Sequence, residues 1–185
     1  MKKIIIILLI ATSACDLLDT REPETPNVGG NTFVTPTTPD ILFHNLTEAF
    51  RDKILENYMA CFVDAAITEK QFKFVPSAGS ISQFEDWNLE SERSYFNNLR
   101  TVPGDGIPIT LTLTNEISNT SSDSAVYQFD YSLIVPIAGQ QENNTYRGKA
   151  LFRIYQNSNQ WAIGEWEDIK IDDFPSWSEL KGRYY

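Results

Sequence analysis

The sequence predicts an α+β domain in which a curved antiparallel sheet wraps one long N-terminal helix. Two observations carry that expectation. Between Ile107 and Ile171, side chains alternate along four segments, the pattern of strands with one buried face. Between Leu42 and Ala65, apolar residues recur every three or four positions. A helix with one such stripe needs a sheet to cover it.

The chain opens on Lys2 and Lys3, then Ile4 to Ile10, all Ile or Leu, then Ala11-Thr12-Ser13-Ala14-Cys15. A positive start, a short apolar run and small residues describe a secretory signal peptide over residues 1–14. Residues 15–38 carry Pro23, Pro26 and Pro36 among Thr, Asn and Gly, and read as an extended tether. Phe33 and Val34 are the tether residues expected to dock. The domain then covers residues 39–185. Thr38 caps its first helix, Pro39 suits the first helical position, and Asp40 complements the positive helix end. The stripe Leu42, Leu46, Ala49, Phe50, Ile54, Tyr58, Cys61, Phe62, Ala65 predicts one continuous helix. Phe72, Phe74 and Val75 before Pro76 read as a short strand at an edge. Leu89 to Leu99 reads as a shorter helix capped by Asn88, with Leu89, Phe96 and Leu99 inward.

Four strands follow. Ile109, Leu111 and Leu113 alternate with threonines. Tyr127, Phe129, Tyr131, Leu133 and Val135 alternate with Gln128, Asp130 and Ser132. Ala150, Phe152 and Ile154 alternate with Lys149 and Arg153, and Trp161, Ile163 and Trp166 close the set. Ser176-Trp177-Ser178-Glu179 has capping-box spacing, so a closing turn of helix should press Trp177 and Leu180 on the sheet and end at Lys181-Gly182.

The formal net charge of −10 argues against nucleic acid as a partner, because phosphate binding needs a basic patch. No run of 18 apolar residues is present to span a bilayer as a helix. Cys61 sits on the apolar stripe and reads as a small buried hydrophobe rather than a partner for Cys15. His44, the single histidine, lies off the stripe and reads as a surface residue. With one His and two Cys, no metal site is expected; Gly29-Gly30 is a flexure rather than a phosphate cradle, and no cofactor is expected. Carboxylates are the remaining acid–base candidates: Asp130 in mid-strand, and Glu165 and Asp168 beside Trp166. Asp130 alternates with Gln128 and Ser132, so it is expected to face solvent, and no catalytic residue is assigned.

Two resemblances add to this. Lys2-Lys3, the apolar run and Ser13-Ala14-Cys15 resemble a bacterial lipoprotein signal, although Thr12 stands where that motif usually has Leu, Ile or Val. The resemblance implies that Cys15 is the lipidated mature N-terminus, and that the protein sits on a membrane of the bacterial envelope, periplasmic or surface-facing. Asn45-Leu46 to Asp64, Phe72 to Phe74, and Gln160-Trp161-Ala162-Ile163 leading to Trp166-Glu167-Asp168 resemble the nuclear transport factor 2-like superfamily, which includes ketosteroid-isomerase-like and polyketide-cyclase-like proteins. It is also a cystatin-like architecture. The likeness covers roughly Pro39 to Ile171 and implies a cone with an apolar interior. Tyr58, Phe62, Tyr131, Phe152 and Trp166 are the expected pocket lining. The expected function is a lipid-anchored, non-catalytic domain that binds a small apolar ligand or an envelope protein. The alternative is a small-molecule isomerase or cyclase-type enzyme, which needs a carboxylate inside the cone beside a hydroxyl donor.

Overall fold

A computed structural model describes residues 32–65, 70–80, 84–139 and 144–185. The expected signal segment, Cys15 and the tether up to residue 31 lie outside the described residues. The elements are α1 (Pro39–Asp52), α2 (Leu55–Met59), β1 (Lys73–Val75), α3 (Leu89–Leu99), β2 (Thr110–Thr120), β3 (Ser124–Val135), β4 (Asn144–Asn157), β5 (Gln160–Ile169) and α4 (Trp177–Tyr184).

α1 begins as its sequence dictates. Thr38 Oγ1 accepts from the Ile41 amide, and Pro39 opens the helix. The stripe then yields a different object from the one continuous helix expected. Lys53 adopts a left-handed conformation (φ 58°), Ile54 is extended, and α2 restarts at Leu55. Lys53 Nζ donates to the Gly104 carbonyl, which ties the break to the loop before β2. Past α2, the Cys61 and Phe62 amides close a last turn and the backbone then pairs with the sheet. The Ile163 amide donates to the Cys61 carbonyl at 2.8 Å and the Val63 amide to the Ile163 carbonyl at 2.9 Å. The same apolar side chains serve either geometry, so the period alone does not register the break.

The sheet runs β1-β5-β4-β3-β2. β2 to β5 form the antiparallel meander, and β1 adds to β5 in parallel. The sheet is therefore mixed, with the short strand at an edge. β3 keeps strict alternation, burying Ala125, Tyr127, Phe129, Tyr131, Leu133 and Val135. Register aligns an aromatic row across four strands: Phe74 opposite Trp166, Trp166 opposite Phe152, and Phe152 opposite Tyr127. Phe43 of α1 packs on this face, 5.4 Å from Phe152 and 4.8 Å from Phe129 between ring centroids. Each such fully buried aromatic contributes about 1.5–3 kcal/mol.

A bulge opposite Arg153 and Ile154 leaves Gly164 as the extra residue of β5. A Cβ there would meet the Tyr155 ring at 2.5 Å, so the position needs glycine. The bulge shifts the inward phase from Trp161 and Ile163 to Trp166 and Asp168. Before α1, part of the tether is docked. Asn45 bridges Val34, accepting from its amide at 3.0 Å and donating to its carbonyl at 2.6 Å. The Trp161 amide donates to the Pro36 carbonyl at 2.8 Å.

Candidate functional site

Among the described residues, the buried charged side chains, Glu92, Asp168 and Lys181, meet at α4. This helix lies between α3 and the inner face of the sheet, and Trp177, Leu180 and Lys181 are completely buried. Its N-terminus is held by a carboxylate. Asp168 accepts from the Ser178 amide at 2.7 Å, from Ser178 Oγ at 2.6 Å and from Tyr131 Oη at 2.8 Å. Tyr131 Oη in turn accepts from the Trp177 amide at 2.7 Å. Ser176 Oγ accepts from the Glu179 amide, completing a capping box. The first three amides of α4, which have no partner inside the helix, are thus all satisfied. Gly148 makes room for this. A Cβ there would meet Tyr131 Oη and the Ile169 carbonyl, each at 2.6 Å. Burial and the Asp168 charge together push the Tyr131 phenol well above its ordinary pKa.

A second polar group lies deeper. Glu92 of α3 is completely buried, accepting from Tyr58 Oη, from Trp87 Nε1 at 2.7 Å, and from Lys181 Nζ at both oxygens. Burial pushes the Lys181 ammonium down to about 8, against the pull of Glu92. The desolvation of such a pair can outweigh its attraction, and removing one partner typically costs about 3–5 kcal/mol.

Of the five side chains expected to line a pocket, all are buried and form ring contacts inside the cone. Trp177 stands among them, its ring 4.4 Å from Trp166, 5.0 Å from Tyr131 and 5.5 Å from Phe50. Its indole donates to Tyr95 Oη at 3.0 Å. Phe62 also borders a surface hollow of about 300 Å³, together with Met59, Tyr155 and Trp161.

The other candidates stand apart. Asp130 is on the outer face, paired with Lys149 and accepting from Asn115 at 2.6 Å, and these partners hold its carboxyl below the usual range. Glu165 is also outside, 3.3 Å from Arg153. His44 is exposed, and Cys61 is buried, its thiol pushed up by burial. Among the described residues, no group of three or more His, Cys, Asp or Glu converges as a metal site. Lys181 corrects the sequence reading. It was expected to mark the helix end, but α4 continues to Tyr184 and Lys181 points inward.

Neither a protein-family model nor a curated protein sequence matches the chain. Solved structures do. A putative scytalone dehydratase from Novosphingobium aromaticivorans superposes with a TM-score of 0.57 at 11% identity, over 69% of this chain and 78% of that one. A putative dehydratase of the NTF2-like family from Streptomyces avermitilis gives 0.54 at 11% identity, over 71% and 93%. An NTF2-like protein with a cystatin-like fold, also from Novosphingobium aromaticivorans, gives 0.50 at 9% identity, over 71% and 79%. The chain has the NTF2-like, cystatin-like fold. At these identities the likeness is one of fold, and this fold hosts unrelated functions.

Proposed function

We propose that this protein is a lipid-anchored envelope protein whose NTF2-like domain binds a ligand or partner and does not catalyse. The anchor rests on the lipoprotein-like segment ending at Cys15. Several acyl chains on one residue hold a bilayer firmly, because each buried CH₂ contributes roughly 0.8 kcal/mol. The binding reading rests on one observation. Among the described residues, the buried carboxylates Glu92 and Asp168 are both taken up by α4. A general base must reach the proton it abstracts. Here Asp168 is already committed to two donors from Ser178 and one from Tyr131.

One observation favours the enzymatic reading. Asp168 and Tyr131 form a carboxylate–phenol pair on the inner face, as an isomerase needs, and two of the similar structures are described as putative dehydratases. The two readings differ in a turnover assay. With a β,γ-unsaturated ketosteroid as probe, the binding reading expects no double-bond migration above buffer for wild type or Asp168→Asn. Turnover by wild type that is lost in Asp168→Asn overturns it.

A further inference from the structure

Among the described residues, Lys181 is the only buried lysine or arginine, and its surroundings are those of a guest in a host. Four ring centroids lie near its Nζ: Trp166 at 3.9 Å, Phe74 at 4.2 Å, Tyr95 at 5.0 Å and Trp87 at 5.3 Å. A cation within about 6 Å of a ring centroid is attracted by the ring quadrupole, most strongly where water is excluded. The rings come from β5, β1, α3 and the segment leading into α3. The fixed anion, Glu92, is on α3. Its oxygens are oriented by Tyr58 Oη and Trp87 Nε1. The four rings, the anion and its orienting donors thus all lie outside α4; α4 supplies the ammonium, and its Trp177 braces the box by packing on Trp166 and donating to Tyr95 Oη.

The delivering element is weak by itself. α4 has 8 residues, too few to be stable alone, and Gly182 follows Lys181 directly within it. The fit also leaves a remainder. Trp166 Nε1, on the ring closest to the ammonium, is the one buried side-chain polar atom with no hydrogen-bond partner among the described residues.

We propose that this aromatic box is a recognition site for a primary alkylammonium ligand, and that Lys181 occupies it in cis. The inference rests on the binding reading above and gives that reading a ligand class. The head group must carry at least two N–H, because both Glu92 oxygens accept from Nζ and a quaternary ammonium has none to donate; the primary form is the one the lysine itself presents. The tail is an unbranched alkyl chain, as the lysine stem is. Exchange keeps the charge balance. One cation leaves as another enters, so Glu92 is never left unpaired in the interior. Lys181 moves to solvent with the last turns of α4.

The test uses the full chain and n-butylammonium, which is the lysine side chain as a free molecule. Tetramethylammonium at equal ionic strength is the comparator. Binding is followed by calorimetry and by amide hydrogen exchange over residues 177–184. Wild type is expected to bind n-butylammonium in preference to tetramethylammonium, with exchange over α4 accelerated at least tenfold at saturation. Lys181→Ala, which lacks the internal competitor, is expected to bind at least tenfold tighter than wild type. The double variant Lys181→Met with Glu92→Gln keeps the packing without the charges, and is expected to fold and show no binding. If Lys181→Ala takes up n-butylammonium while wild type shows neither binding nor faster exchange, the box is only a socket for Lys181 and the proposal fails. Equal binding of both amines by wild type also overturns it. The parent reading fails on a separate readout, ketosteroid turnover that depends on Asp168.

Discussion

Replacing Trp177 by alanine removes the largest side chain that α4 places in the cone. The ring is completely buried against Phe50, Tyr131 and Trp166. Truncating a buried Phe or Trp to Ala costs about 3–5 kcal/mol. The indole N–H donated to Tyr95 Oη is lost as well, and a buried hydroxyl left short of a partner adds about 1 kcal/mol or more. The backbone amide bonds to Tyr131 and Asp168 do not depend on the side chain. The expected total is therefore roughly 4–6 kcal/mol. For a domain of this size, about 2–4 °C accompany each kcal/mol, so the melting temperature should fall by roughly 10–20 °C. Calorimetry and urea unfolding both read this. Trp177→Phe keeps most of the ring contact and should lose only about 1–2 kcal/mol. If Trp177→Ala melts within a few degrees of wild type, α4 is not packed into the interior, and the case for Asp168 being committed to it collapses.

Three further outcomes follow from the same structure. Phe62→Ala, which removes a ring buried against Tyr58 and Phe72, should cost about 3–5 kcal/mol in urea unfolding, and a loss under 1 kcal/mol would contradict its placement. Cys15→Ala should release the protein from the membrane fraction while its melting temperature stays unchanged; a variant that still pellets with membranes removes the anchor. For Lys181, the folded-state pKa of about 8 lies below the ordinary 10.5, so between those values the unfolded chain holds more protons than the folded one. Burial of the charged lysine thus weighs against folding below pH 8, and that penalty lifts as pH rises toward 10.5. The stability of wild type relative to Lys181→Met, from urea midpoints at pH 7 to 10, should rise across that window; a flat or falling difference would mean that Glu92 outweighs burial.

β3 and β4 are legible because each buries one face, and alternation reports that directly; β2 does so only around Leu111 and Leu113, and is exposed on both faces from Thr114 to Thr120. β3 from Ala125 to Val135 keeps the period throughout. The caps at Thr38, Asn88 and Ser176 were legible because capping is local. The break at Lys53 was not, because Phe50, Tyr58 and Phe62 stay buried whether or not the helix continues. The site was less legible than the fold. Glu92 stands three residues after Leu89 and seven before Leu99, so its position on the buried stripe of α3 was readable, but a charged residue there is discounted without a partner in view. Its partner, Lys181, stands four residues after Trp177, a helical spacing, and was masked by the preference of lysine for helix ends. Asp168 was a named candidate, and its inward placement turns on Gly164, whose bulge resets the phase of β5.

In the ligand-free protein, α4 is held inside the cone, where it takes up Glu92 and Asp168. Amide hydrogen exchange of the isolated wild-type protein over residues 177–184 tests it most directly. The Ser178, Leu180 and Lys181 amides should exchange at least a hundredfold more slowly than in an unstructured peptide of the same sequence. Exchange at the unstructured rate would show α4 outside the cone and Asp168 unencumbered, and would contradict the account.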